Sequence, residues 1–176
     1  MKHQFKNKTV NSNDYLVNYL RKNITTGSSL LDLGCGPKIY SNSVADLCSK
    51  IITVDAWSEV EPDITVDLET YDVRQGIGNI DYILMLDFIE HLDKSAGQRL
   101  LESCKQIVNK KIFMLTPLEP IWNDNHKNVA NPKLWCYGNN YDLHKSLWSA
   151  QDFVGFQQVK IGSLENYFLG HWERHV

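Results

Sequence analysis

The chain has 176 residues, 43% of them hydrophobic and 22% charged, proportions that fit one globular domain with its own core and exclude a disordered or fibrous polymer. Its formal net charge of −3 gives no overall attraction for polyphosphate, so nucleic acid is not the expected partner. No apolar run approaches a membrane span, and the polar start "MKHQFKNKTVNSND" lacks the apolar core of a signal peptide, so a soluble cytoplasmic protein is expected. Cys35, Cys48, Cys104 and Cys136 show neither zinc-site spacing nor the density of a disulfide scaffold and read as reduced thiols. The Lys2, Lys6 and Lys8 stretch reads as a solvated, frayed terminus.

In chain order, residues 14–22 ("DYLVNYLRK") place Tyr15, Leu16, Tyr19 and Leu20 at helical spacing behind a capping residue at Asn13 or Asp14. The runs "SLLDL", "KIITVD", "DITVDL" and "DYILML" follow, each with the length and composition of a buried strand, and "KKIFMLTP" is a fifth. The stretch after the first run reads as a helix. Between the fourth and fifth, residues 93–109 carry Leu100, Leu101, Cys104, Ile107 and Val108 at helical spacing, with Asp93 or Ser95 as the cap. Residues 118–148 are irregular and rich in Asn, Trp, Tyr and Pro; a segment of this kind reads as a substrate-facing insertion. A short capped helix at Ser149 to Asp152, a turn at Gly155 and strands over 157–161 and 165–169 end the chain. Strands alternating with helices predict a doubly wound, mostly parallel α/β sheet of Rossmann-like type with an antiparallel edge hairpin at the C-terminus, in a single domain over 1–176.

The turn after the first strand, Asp32-Leu33-Gly34-Cys35-Gly36-Pro37, occupies the usual ligand cradle of such sheets. Glycines at 34 and 36 let the backbone bend and a ligand approach closely. The third glycine of a dinucleotide fingerprint is missing, since its position is Ile39, and the Gly-Lys-Ser/Thr of a kinase-type phosphate loop is absent. Asp55 ends the second strand about twenty residues later, where a carboxylate can accept from both ribose hydroxyls.

"LLDLGCGP" resembles the first motif of class I S-adenosylmethionine-dependent methyltransferases, and later segments match that family in order: Asp55-Ala56-Trp57, Asp67-Leu68, Leu86-Asp87-Phe88-Ile89-Glu90-His91-Leu92, "FMLTP" and "LHKSLWSAQDFVGFQQV". The likeness covers Leu30 to about Gln158. It departs at the glycine pair before the fifth strand, here Asn109-Lys110-Lys111, and in lacking a large N-terminal cap. It implies S-adenosylmethionine as cofactor, with contacts from Asp32 (methionine ammonium), Gly34, Cys35, Gly36, Asp55 (ribose), Ala56 and Trp57 (adenine), Asp67 (adenine amino group), Leu68, Leu86 and Asp87. The implied reaction moves a methyl to an O or N nucleophile of a small molecule or a glycan or lipid precursor. Nucleic-acid amino-methylation is disfavoured, because Leu86-Asp87-Phe88-Ile89 stands where base-modifying relatives carry Asn/Asp-Pro-Pro-Tyr. A non-catalytic cofactor-binding or partner protein on the same fold remains the alternative, as does a metal-dependent RNA 2′-O-methyltransferase. A monomer or homodimer is expected.

Asp87, Glu90 and His91 share one face if a helical turn begins at Asp87. His91 is the first choice as general base and His144 the second. The other reading is a divalent-metal site completed by His144 or His126, similar to the Glu-x-x-Glu-His pattern of ubiquinone-biosynthesis O-methyltransferases and small-RNA 2′-O-methyltransferases. Relatives with the same "IEHL" stretch need no metal, and none is expected here. Trp122, Trp135, Tyr137, Tyr141 and Trp148 either line an acceptor pocket or form a satellite core.

Overall fold

The computed structural model describes residues 10–118, 125–159 and 166–175. Strands β1 (Ser28–Leu33), β2 (Cys48–Asp55), β3 (Ile64–Thr65), β4 (Ile80–Leu86), β5 (Val108–Pro117), β6 (Gln157–Gln158) and β7 (Tyr167–Glu173) form one sheet in the order β3-β2-β1-β4-β5-β7-β6. The first five are parallel, and β7 and β6 close one edge antiparallel. Helices α1 (Val10–Asn23), α2 (Ile39–Ser43), α3 (Val73–Gly76), α4 (Lys94–Ile107) and α5 (His126–Val129) connect or flank them.

The apolar runs are continuous because the sheet is covered on both sides. Along β4, Ile83 and Met85 join one core with Leu100, Leu101 and Cys104 of α4, whereas Tyr82, Leu84 and Leu86 join the other with Leu16 and Leu20 of α1. Strand order reverses between β1 and β4, so the loops leaving their carboxyl ends diverge and leave a crevice, the position at which open α/β sheets hold ligands.

Four local expectations change. Helix α1 begins at Val10, so Asn13 and Asp14 lie within it and neither caps it; a cap is worth only about 1 kcal/mol, less than the docking of an apolar stripe. Strand β3 is two residues long: just before it, Asp63 pairs through its side chain, accepting from the Thr53 N–H and hydroxyl at 2.8 Å each, and the ladder ends at Thr65. Helix α2 lasts five residues: Ser43 donates back to the Tyr40 carbonyl at 2.6 Å, and Val44 leaves helical geometry. The last strand runs to Glu173 through Gly170, whose missing Cβ admits the Gln157 carbonyl; that Cβ would lie 2.8 Å from the oxygen. The 165–169 reading therefore stopped at a glycine that the strand needs, and residues 160–165 lie outside the described ones, as do Trp122 and the lysines of the terminus.

The remaining features agree with the sequence, save at the two ends of α4. A full capping box joins Ser149 and Asp152 and Gly155 turns with φ of 82°, whereas Asp93 stands at the N-cap position of α4 without a side-chain capping bond and Val108 and Asn109, expected in that helix, begin β5. Among the described residues no helix is long and apolar enough to cross a membrane.

Phe113 is fully buried at the centre of the sheet, and Phe113→Ala is expected to cost about 3–5 kcal/mol in urea denaturation. Val154→Ala, at a side chain 78% exposed, should stay within about 0.5 kcal/mol of the parent.

Candidate active site

The floor of the crevice is the turn after β1. Gly34 has φ of +65° and its N–H donates to the Val54 carbonyl at 2.9 Å, while Gly36 has φ of +46°. A Cβ on Gly34 would lie 2.0 Å from the Phe88 ring, and one on Gly36 would lie 3.2 Å from the Trp135 ring. The absent side chains are thus filled by aromatics from two later segments, the turn after β4 and the irregular stretch beyond β5.

Asp55, at the end of β2, is fixed by two backbone donors: one oxygen accepts from Gly36 N–H and the other from Trp57 N–H, each at 2.9 Å. Its carboxyl is raised above the usual range by burial, against the pull of those N–H groups. Asp32 is wholly enclosed and faces Ser41 of α2; burial pushes its pKa up to about 7, with Ser41 and Lys38 opposing. Asp67, on the exposed rim, accepts from Glu69 N–H at 2.9 Å.

Beyond β4 the chain turns through Asp87, which has φ of +51° and whose N–H donates to the Leu115 carbonyl at 2.8 Å. A single 3-10 turn, Ile89–His91, follows. Asp87 therefore stands outside the helical turn, and the shared face expected for Asp87, Glu90 and His91 does not form; the Asp87 carboxylate accepts from Tyr40 at 3.4 Å instead. Glu90 is 2% exposed and accepts from the Thr116 hydroxyl at 2.8 Å. Burial, then the neighbouring Asp87 charge, raises its pKa. The Nδ1 of His91 lies 3.3 Å from the Leu143 carbonyl, which accepts from it in the tautomer that carries the proton there. The His91 and His144 rings meet edge to face at 4.8 Å. Burial and His144 lower the His91 pKa to about 4. Ligand atoms of Glu90, His91 and His144 lie within 4.8 Å of one another, a carboxylate and two imidazoles suited in type to a divalent cation.

The crevice has a cavity volume of about 140 Å³. No protein-family model matches the chain. It is similar to the ubiquinone biosynthesis O-methyltransferase of Paraburkholderia xenovorans (strain LB400), 27% identical in an alignment 96 positions long that covers 47% of this chain and 40% of that protein. The match thus spans less than half of the curated relative. Among solved structures it is similar to the small RNA methyltransferase HEN1 (TM-score 0.62, 17% identity, 100% of this chain and 27% of that one). It is also similar to the magnesium protoporphyrin IX methyltransferase of Synechocystis PCC 6803 with bound SAH (0.59, 14%, 97% and 91%) and to a SAM-dependent methyltransferase from Archaeoglobus fulgidus (0.61, 13%, 93% and 95%).

The chain has the fold of the class I methyltransferases. On this methyltransferase fold the crevice is lined by Asp32, Gly34, Cys35, Gly36, Asp55, Ala56, Asp67, Leu68, Leu86, Asp87 and His91. Trp57 is not on that wall; its ring lies 6.2 Å from that of Trp135. His144 stands behind His91, and His126 is exposed outside the group. The aromatics of the irregular stretch divide: Trp135 and Tyr141 line the crevice, Tyr137 is on the surface, and Trp148 is core, stacked on Phe153 at 5.4 Å and donating to Ser146. Tyr40, Phe88, Asn139, Asp142 and Lys145 also line the site and were missed. Asp142, two residues before His144 in "YDLH", carried the clearest signal among them.

Two outcomes test this geometry. Gly34→Ala should cost about 2 kcal/mol or more from its left-handed backbone and the Phe88 overlap, and combining it with Phe88→Ala should cost less than the sum, measured as a double-mutant cycle by urea denaturation. Asp32 binds its proton more tightly folded than unfolded, so it removes stability as pH rises from about 4 to 7. Asp32→Asn should therefore exceed the parent in stability at pH 8, by an amount of order 2–4 kcal/mol that vanishes toward pH 4 in parallel melts.

Proposed function

We propose that this chain is an S-adenosylmethionine-dependent methyltransferase acting on an O or N nucleophile of a small-molecule acceptor. The observation that carries the reading is the crevice at the β1/β4 reversal, floored by a positive-φ glycine turn and flanked by the pre-set Asp55 carboxylate. When bound, the cofactor supplies an activated methyl on a sulfonium. The surroundings fit it: Asp55 is held with both oxygens fixed where ribose hydroxyls would donate, Asp67 stands at the rim for the adenine amino group, and Asp32 and Asp87 offer negative charge toward an ammonium and a sulfonium. In-line displacement needs alignment and exclusion of water more than functional groups. Trp135 and Tyr141 wall the mouth, and His91, on the same wall, is the side chain proposed to receive the acceptor proton.

A second reading within the first is favoured by the Glu90, His91 and His144 group, whose donor atoms lie close enough to share one ion. A divalent cation held there would supply Lewis acidity to an acceptor hydroxyl, making the reaction an O-methylation, with His91 as ligand in place of base. The net charge of −3 supports a small acceptor over RNA.

Calorimetry with S-adenosylhomocysteine should give micromolar binding, weakened at least tenfold by Asp55→Ala; absence of binding to it and to S-adenosylmethionine would sink the proposal. Methyl-release assays over a panel of hydroxyl and amine acceptors, with EDTA and with Mn²⁺, separate the two readings. Activity indifferent to EDTA removes the cation and leaves the methyltransferase.

A further inference from the structure

We infer that Trp135, from the irregular stretch after β5, is the aromatic face on which the cofactor's adenosine rests, so that it serves the methyl donor and not the acceptor; this assignment rests on the methyltransferase reading above. Trp135 lines the crevice. The benzene side of its indole stands 3.2 Å from the position that a Cβ on Gly36 would take, and its ring lies 6.2 Å from that of Trp57 at a tilt of 47°. Gly36 and Trp57 are also the two residues whose N–H groups donate to the Asp55 carboxylate. The side chain proposed for the ribose and the indole thus share the same two neighbours, which puts the indole at the nucleoside end of the crevice.

Adenine is a flat, uncharged ring. Carboxylates can hold it by its edge and through its ribose, but its faces need an aromatic or apolar surface. Among the described residues that line the crevice, the other aromatics are engaged elsewhere. Phe88 is seated against Gly34, and Tyr40 donates to Asp87 at 3.4 Å, both at the turn after β4. The segment of Tyr141 leads within two residues to Leu143, whose carbonyl lies 3.3 Å from His91 Nδ1, and so belongs to the side of the acceptor. Trp135 is left for the base.

The indole is carried on a turn that holds itself together. Leu134 N–H donates to the Asn131 carbonyl at 3.0 Å, Gly138 N–H to the Val129 carbonyl at 2.8 Å and Asn139 N–H to the Cys136 carbonyl at 2.9 Å. Cys136 is 3% exposed and Asn139 5%, and the Asn139 side chain accepts from Tyr141 N–H at 3.0 Å. These two residues anchor the turn, while Trp135 beside them stays half-buried against the glycine turn. The base therefore meets a wall that is already in place, which lowers the ordering cost of binding. One stack of a base on an aromatic side chain contributes roughly five- to a hundredfold in affinity.

The test is S-adenosylhomocysteine binding to the full chain, followed by calorimetry and by quenching of tryptophan fluorescence. Trp135→Ala should weaken binding about fivefold or more, and Trp135→Phe, which keeps an aromatic face, should weaken it less. Thermal melts without ligand establish that each variant is folded; if Trp135→Ala is not, the quench in Trp135→Phe decides. Saturating ligand should quench the indole emission of the parent, and Trp135→Phe should remove the larger part of that quench. A tryptophan that only supported the fold would lower affinity without carrying the quench. Unchanged affinity in a folded Trp135→Ala overturns the assignment and leaves the methyltransferase reading standing, as does binding by the parent without a quench or a full quench in Trp135→Phe. No binding by the parent removes both.

Discussion

Glu90 is the residue through which the parts of the crevice are held together. Its carboxyl group is buried against the end of β5, where the Thr116 hydroxyl donates to it, and its backbone carbonyl receives two N–H groups from residues 145 and 146. A buried carboxyl without partners costs several kcal/mol, so the β4 turn, the β5 end and the later stretch are constrained to meet around it. The left-handed Asp87 just before it lets the chain leave β4 at the required angle, at a cost that the Asp87 N–H bond to the Leu115 carbonyl helps to offset. The positions of His91, Leu143 and His144 follow from that junction.

The glycine turn has a different role from the one its motif suggests at first reading. Gly34 and Gly36 give close approach, but what approaches Gly34 is Phe88 and what approaches Gly36 is Trp135. The turn is therefore a socket that receives two aromatics and so sets the distance between the β1 floor, the β4 turn and the later wall. The space left for a cofactor is what remains after those rings are seated.

The framework was legible because its signals were strong and local. The runs of β1, β4 and β5 are apolar throughout because both faces are covered, and their order with intervening helices implied the parallel sheet and its reversal point. Edges were less legible. Strand β3 starts only after Asp63, whose side chain does the pairing there, and β7 continues through a glycine that ordinarily signals a stop. At the site, Asp32, the glycines, Asp55 and His91 were found by position relative to strand ends. Asp87 was misplaced because three-and-four spacing assumes helical backbone, and its φ is positive. Trp148, open in the sequence between pocket wall and satellite core, packs under Gly97 and on Phe153. Asp142 was missed because its place on the crevice wall is held by the Asn125 side chain, seventeen residues earlier, a contact that leaves no periodic trace.

The charge of the crevice argues for the same chemistry from another direction. Asp32, Asp55, Asp67, Glu69, Asp87 and Asp142 line it, against Lys145 alone among the lysines and arginines of that wall, and Lys145 is paired with Glu69 at 2.9 Å. Lys38, next to the glycine turn, sends its ammonium to the Glu61 carbonyl. A concave, partly desolvated wall of this sign concentrates cations and repels phosphate. A sulfonium whose tail bears both an ammonium and a carboxylate carries one net positive charge and is drawn in, and its demethylated product, having lost the sulfonium charge, is held less strongly by the same field. Acidic lining of this kind thus favours the charged donor over the spent one.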